Sequence, residues 1–264
     1  MRSREHTRLV RDAWDQYQAD YFEFNLKDRP DFYSFFENGG IDLSEEEIEL
    51  VGDVSRLDLL DTCCAADARQ SFSWANLGAT VTGCDITPSA IEIASQTANR
   101  IGKDVRFVVD DAHTLAVIED SSHDLVYATY IVWLEDLYQA TETWFRVLRP
   151  GGRLLMRQAH PLVACLDSSQ DGDVSVTQHY FDDRPNCHLF EGTPLADRHG
   201  GWGKQVQIVE FFHRVEDMIN AVVAAGFRIL RVVETTDSHP DPQGEEAVPG
   251  LASNLSPRTS WCWR

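Results

Sequence analysis

TVTGCDITPSAIEIA, residues 80–94, decides the fold. Thr80 to Cys84 read as a buried strand that ends in an acid, Asp85. Thr87 and Pro88 then suit the cap and first turn of a helix running to about Ile101. Strand, short turn and helix form the repeating unit of a parallel sheet. The same rhythm extends to both sides. LDLLDTCC (57–64) is an apolar run followed by a helical stretch at 69–77, and VRFVVDD (105–111) and HDLVYAT (123–129) read as a third and fourth strand. A helix at 136–148 stops at RPGG, and RLLMRQAH (153–160) gives a fifth strand. A helix at 214–225, a strand at 227–235 and a terminal strand, RTSWCWR, complete the chain. Strands alternating with helices imply right-handed crossovers and helices on both faces. The expected fold is therefore α/β, a doubly wound and mostly parallel seven-stranded sheet in a single domain, residues 1–264.

Upstream of the alternation, residues 4–24 form an amphipathic helical pattern, with Tyr17, Tyr21 and Phe22 expected on one face. PDFYSFFEN (30–38) reads as a short aromatic helix, and Ser44 with Glu47 as a capping box starting another. Residues 162–205 break the rhythm with polar, turn-rich sequence and read as an insertion after the fifth strand.

Composition limits the function classes. The chain has 264 residues and carries 43 Asp+Glu against 23 Lys+Arg, a net charge of −20. Such a field repels a phosphate backbone, which argues against nucleic-acid substrates. The six cysteines include no CxxC pair, as expected of buried thiols in a reducing compartment. The charged N-terminus lacks the apolar core of a secretion signal, and no stretch of 18 apolar residues occurs. A cytoplasmic protein without membrane spans is expected. No histidine–carboxylate cluster at ligand spacing is evident, so no metal is expected.

In open parallel sheets, ligands bind at the carboxyl ends of strands near the point where strand order reverses. Asp85 ends the second strand and could accept from both hydroxyls of a ribose; capping its helix is the competing role. Asp110 and Asp111, with Ala112, end the third strand, where a carboxylate could accept from an adenine amino group or face solvent. Tyr127, Tyr130 and Trp133 surround the end of the fourth, where aromatic faces could hold a cation or simply pack in the core. The turn after the first strand, TCCAADARQS, has no glycine; Ala65, Ala66 and Ala68 allow close approach but disfavour positive φ.

Taken together, TVTGCDITPSAIEIA, VVDDAHTL, HDLVYATYIVWLEDL and VLRPGGRLLMRQAHP resemble the class I S-adenosylmethionine-dependent methyltransferases over about Phe36 to Pro161. The lead-in FENGGIDLSEEEIELVGDVSRLDLLD, the pair His160-Pro161 and the pair Tyr180-Phe181 resemble one bacterial subfamily. The resemblance implies S-adenosylmethionine as cofactor and a small-molecule methyl acceptor, with a place in secondary metabolism. It implies that Asp85 binds the ribose, Ile86 packs on the adenine, and Asp111 with Ala112 meets the adenine amino group. The turn from Cys64 through Ala66, Asp67 and Ala68 would line the methionine moiety, with Cys64, Ala66 and Ala68 standing where the family usually has glycine.

The implied architecture is a helical lid at 1–52, a cofactor-binding core at 53–161, a cap at 162–205 and the rest of the core at 206–264. Tyr21 would reach the methionine carboxylate from the lid, and Tyr127 and Tyr130 would face the sulfonium. His160, His179 and Tyr180 are the candidate bases. Two other readings keep the cofactor: a cyclase or lyase resembling azetidine-2-carboxylate synthases, which consumes S-adenosylmethionine alone and releases methylthioadenosine, and a non-catalytic binding protein.

Overall fold

The computed structural model describes residues 3–162, 165–168, 174–176, 178–182, 186–191, 205–236 and 257–263. Helix α1 (Ser3–Asp28), α2 (Phe32–Glu37) and α3 (Glu45–Val51) precede the sheet. The capping box forms as expected: Ser44 Oγ accepts from the Glu47 amide, and Glu47 Oε2 accepts from the Ser44 amide.

The alternation that follows comprises β1 (Asp58–Asp61), α4 (Arg69–Asn76), β2 (Thr80–Asp85), α5 (Pro88–Ile101), β3 (Val105–Val109), β4 (His123–Thr129), α6 (Leu137–Val147) and β5 (Leu148–Ala159). After the insertion come α7 (Val215–Ala224), β10 (Ile229–Thr236) and β11 (Pro257–Trp263). These strands build one seven-stranded sheet in the order β10-β11-β5-β4-β1-β2-β3. Neighbours among β1 to β5 are parallel, and β11 runs antiparallel between β5 and β10. Within the insertion, β6 (Leu166–Ser168) pairs with β7 (Val174–Val176), and β8 (Asn186–Glu191) with β9 (Gln205–Glu210).

Both faces of the sheet are covered, and successive side chains along a strand go to opposite faces. Leu59, Leu125 and Tyr127 pack with Trp74 and Val54 on one side. Leu60, Val126 and Ala128 pack on the other with Trp144 of α6 and Met218 of α7. Gly83 lies at the centre of β2 because an added Cβ would meet the Phe107 ring at 2.6 Å. Strand order reverses between β1 and β4, so their carboxyl ends diverge there and open a crevice. Among the described residues, no helix is long and apolar enough to cross a membrane.

One detail departs from expectation. Thr87 occupies the cap position of α5, yet its side chain makes no cap bond. Its amide and hydroxyl both donate to Asp85 Oδ1, at 2.9 and 2.7 Å. The residue fixes the acid that ends β2 rather than the helix that follows.

Candidate functional site

A cavity opens at the reversal point, with about 890 Å³ of space between its walls counted to the open mouth. Its floor comes from the strand ends: Thr62, Cys63, Ala65 and Asp67 after β1, Asp85 and Ile86 after β2, Asp111, Ala112 and His113 after β3, and Tyr130, Trp133 and Leu134 after β4. Its cover is α1, through Thr7, Val10, Trp14, Gln18 and Tyr21. Those spacings of three and four residues trace one helical face.

Asp85 is buried and already engaged. Besides Thr87 on Oδ1, its Oδ2 accepts from the Ala65 amide at 3.1 Å. A carboxylate has about four acceptor positions, and the Thr87, Ala65 and Ile86 donors already take most of them, leaving fewer than the two needed for a pair of hydroxyls. Burial raises the Asp85 carboxyl above its ordinary range, and the Thr87 and Ala65 donors oppose that rise.

Asp110 and Asp111 divide their work. Asp110 is spent on the loop, accepting from the amides of Asp111, Ala116 and Val117. Asp111 faces the cavity and accepts from the His113 amide at 2.9 Å and from His113 Nδ1 at 2.7 Å. Burial pushes the Asp111 carboxyl up, but the hydrogen bonds from His113 outweigh it and leave the group below its ordinary range. The amide of Asp136 donates to His113 Nε2 at 3.4 Å, which assigns the ring proton to Nδ1.

The turn after β1 keeps the backbone that glycine would adopt. Ala65 has φ of 56° and Ala68 has φ of 44°, both left-handed. Helix α1 holds this turn from above. Gln18 Oε1 accepts from the Ala66 amide at 3.1 Å, and Asn25 Nδ2 donates to Asp67 Oδ2 at 2.8 Å. Arg69 Nε lies 2.9 Å from the same carboxylate oxygen. Tyr21 stands beside this pair; the Asp67 charge first, and burial second, hold its hydroxyl well above the ordinary phenol range. Tyr130 is 42% exposed and has φ of 57°, a strained conformation for a bulky residue that holds it at the cavity rim.

Of the expected cofactor residues, Tyr21, Asp67, Asp85, Ile86, Asp111, Ala112 and Tyr130 line the cavity. Cys64, Ala66 and Ala68 do not; they are buried beneath the turn, where they pack with Phe72. Tyr127 is also displaced from the expected place. It is fully buried on the opposite side, edge-on to Trp74, and its hydroxyl donates to the buried Glu47 carboxylate. Alternation along β4 sends Tyr127 away from the crevice.

The three candidate bases fall outside the cavity as well. His160 Nε2 pairs with Glu234 Oε1 of β10 at 3.1 Å, His179 is exposed, and the Tyr180 hydroxyl accepts from the Val215 amide. No described residue of the 162–205 insertion lines the cavity; the rest of that segment lies outside the described residues. On α1 the face over the cavity is not the expected one. Tyr17 and Phe22 turn into the protein, Phe22 against Phe32, while Trp14 and Gln18 face the cavity beside Tyr21. Sequence reasoning also passed over Thr7, Val10, Gln70 and His113; the three- and four-residue spacing on α1 was the available signal.

The walls suit the expected cofactor. Asp67, Asp85 and Asp111 supply carboxylates for a cation, a ribose hydroxyl and an adenine amino group, and among the described residues no Lys or Arg lines the cavity. Among the described residues, no group of three or more His, Cys, Asp or Glu is placed to hold a metal ion.

The fold is a doubly wound α/β sheet, and its candidate ligand crevice lies at the β1/β4 reversal. Residues 60–156 match the family model described as a methyltransferase domain. Phosphoethanolamine N-methyltransferase 1 of Arabidopsis thaliana is 26% identical over 46% of this chain and 25% of its own length. Demethylmenaquinone methyltransferase of Thermus thermophilus is 27% identical over 58% of this chain and 65% of its own length. The chain thus spans less than two thirds of each of these relatives. An S-adenosylmethionine-dependent methyltransferase from Mesorhizobium loti shares the fold with a TM-score of 0.61 and 18% identity, covering 82% of this chain and 94% of that one.

Proposed function

We propose that this protein transfers the methyl group of S-adenosylmethionine to a small molecule bound between α1 and residues 130–134. The observation that carries the reading is the shape of the cavity. Its carboxylates stand at the ends of β1, β2 and β3, while the remaining wall, Val10, Trp14, Trp133 and Leu134, is apolar, and the cavity opens to solvent where an acceptor could enter. The two named relatives both act as methyltransferases, which supports the same reaction here. When bound, S-adenosylmethionine supplies an electrophilic methyl whose C–S bond breaks with its electron pair left on a neutral sulfur.

The residues position this reaction rather than drive it by proton transfer. Asp85 anchors the ribose through its remaining acceptor position, and Asp111 takes the adenine amino group. Asp67, held by Asn25 and Arg69, meets the amino end of the methionine moiety, with Tyr21 beside it. Trp14 and Trp133, in edge-on contact with ring centroids 5.0 Å apart, form part of the apolar wall beside the cofactor position. Holding two reactants in line is worth about 7–11 kcal/mol of a barrier, enough without a dedicated base.

The charge of −20 keeps nucleic acid out of this reading. Free Cys63, Cys64, Cys84 and Cys165 suit a reducing compartment, which supports the reading of a cytoplasmic protein. The test is to incubate the protein with S-adenosylmethionine alone and with a panel of acceptors. S-adenosylhomocysteine formed only with an acceptor supports methyl transfer. Methylthioadenosine from the cofactor alone replaces it with the cyclase reading. Binding without either product leaves a binding protein.

A further inference from the structure

We infer that His113 is the positioning residue that makes this site choose adenine over hypoxanthine, by locking Asp111 as a hydrogen-bond acceptor; this rests on the cofactor reading above. The two oxygens of the Asp111 carboxylate differ. Oδ1 accepts from the His113 amide at 2.9 Å and from His113 Nδ1 at 2.7 Å, which fills both of its acceptor positions. Among the described residues, Oδ2 accepts no hydrogen bond, and Asp111 lines the cavity. One oxygen is spent on holding the group, and the other is left for a ligand.

The pair is braced from outside the cavity. The Asp111 carbonyl accepts from the Thr114 and Leu115 amides at 2.9 and 2.8 Å, and the Asp111 amide donates to Asp110 Oδ1 at 2.8 Å. Helix α6 then grips the next three carbonyls. Trp144 Nε1 donates to that of Ala112 at 3.1 Å, Thr143 Oγ1 to that of His113 at 2.7 Å and Arg146 Nη2 to that of Thr114 at 3.0 Å. The His113 ring is buried, and its Nε2 accepts from the amide of Asp136, the residue that caps α6. The imidazole thus bridges two fixed points, Asp111 and the start of α6, and turning it away from Asp111 breaks both contacts.

The lock matters because a half-buried carboxyl has an alternative. Burial favours its protonated form, and the His113 hydrogen bonds oppose that. A carboxylic acid donates as well as accepts, whereas a carboxylate only accepts. Adenine offers an exocyclic N–H at the position where hypoxanthine offers a carbonyl oxygen. A locked carboxylate pairs with the first and repels the second. An acid or an amide in its place accommodates either. Stacking on Ile86 and contact with apolar walls cannot tell the two bases apart, so the choice falls to the Asp111–His113 pair.

Calorimetric titration of S-adenosylhomocysteine and its hypoxanthine analogue, S-inosylhomocysteine, into four proteins tests this. Wild type should prefer the adenine compound by about 10–150-fold, the worth of one charge-assisted hydrogen bond. Asp111→Asn, which presents both a donor and an acceptor, should cut that preference at least fivefold. Two histidine variants divide the ring's contacts. In His113→Asn the amide nitrogen stands where Nδ1 stood, so Asp111 keeps its donor and the Asp136 contact is lost. In His113→Gln the amide reaches the place of Nε2, so the Asp136 contact is kept and Asp111 loses its donor. The positioning role keeps the preference of His113→Asn near wild type and lowers that of His113→Gln at least fivefold. The reverse order, which a purely structural role in bracing α6 would give, overturns the inference, and so does an equal preference in the two variants. A wild type that binds S-adenosylhomocysteine without preferring it, or an Asp111→Asn variant that keeps the full preference, also overturns the inference and leaves the cofactor reading standing. A wild type that binds neither compound removes the cofactor reading itself.

Discussion

Replacing Ala65 with glycine measures the strain in the turn after β1. Ala65 holds φ of 56°, a region that costs a residue with a Cβ about 1–2 kcal/mol. Glycine removes that cost but gains freedom in the unfolded chain, an opposing effect of about 0.4–1 kcal/mol. Ala65 is half-buried at the cavity wall, so its methyl gives up little burial. The balance is a stabilisation of about 0.5–1 kcal/mol, which at this chain length raises Tm by about 1–4 °C. Ala68 is the internal control. It is also left-handed, with φ of 44°, but is 0% exposed and packs in the Phe72 cluster. Losing its methyl sacrifices about 0.8 kcal/mol of burial, so Ala68→Gly should be close to neutral. Calorimetric scans and urea titrations of the three proteins give the order directly. A Tm for Ala65→Gly below wild type, at an unchanged urea m value, would refute the claim that this turn is strained.

Other expectations follow from single contacts. Asp85→Asn should weaken S-adenosylmethionine binding by about 10–150-fold, the worth of a charge-assisted hydrogen bond of about 1.5–3 kcal/mol; calorimetry on a protein with native circular dichroism checks it. Gln18→Ala orphans the buried Ala66 amide and should lower stability by about 1–3 kcal/mol in urea titration while loosening α1 from the turn. Asp61 is buried at the end of β1, and burial raises its carboxyl to about 7 against the opposing bond from Ser71. The folded protein therefore keeps a proton that the unfolded chain releases from about pH 4 upward, and stability contributed by the neutral acid is lost as pH rises toward 7. Relative to Asp61→Asn, wild type should lose on the order of 4 kcal/mol between pH 4 and 8, and parallel stability curves for the two proteins would contradict this.

Much of the architecture was legible in the sequence because its signals are local. Apolar runs of strand length, separated by helical periods and Gly or Pro stops, give the alternation, and parallel alternation admits few topologies. That alone brings Asp85 and Asp111 to one end of the sheet, since Asp85 ends β2 and Asp111 follows β3 by two residues. The capping box at Ser44 was equally local. So was the acidic balance that argues against nucleic acid.

What tertiary structure decided concerns side chains whose roles depend on distant partners. Tyr127 and Tyr130 are three residues apart and chemically alike, yet one seeks Glu47, 80 residues earlier, and the other stands at the rim. His160 sits where a base was expected but is taken by Glu234 of an edge strand. The amphipathic pattern of α1 shows that it has a buried side, but its aromatics divide between core and cavity only when the helix docks through Gln18, Asn25 and Asp15. The turn after β1 is the sharpest case. Alanine on its own disfavours positive φ, so the sequence argued against the backbone that Ala65 and Ala68 adopt. Packing beneath the turn, the Gln18 contact from above and the Asp85 carboxylate together outweigh a local preference of only about 1–2 kcal/mol per residue.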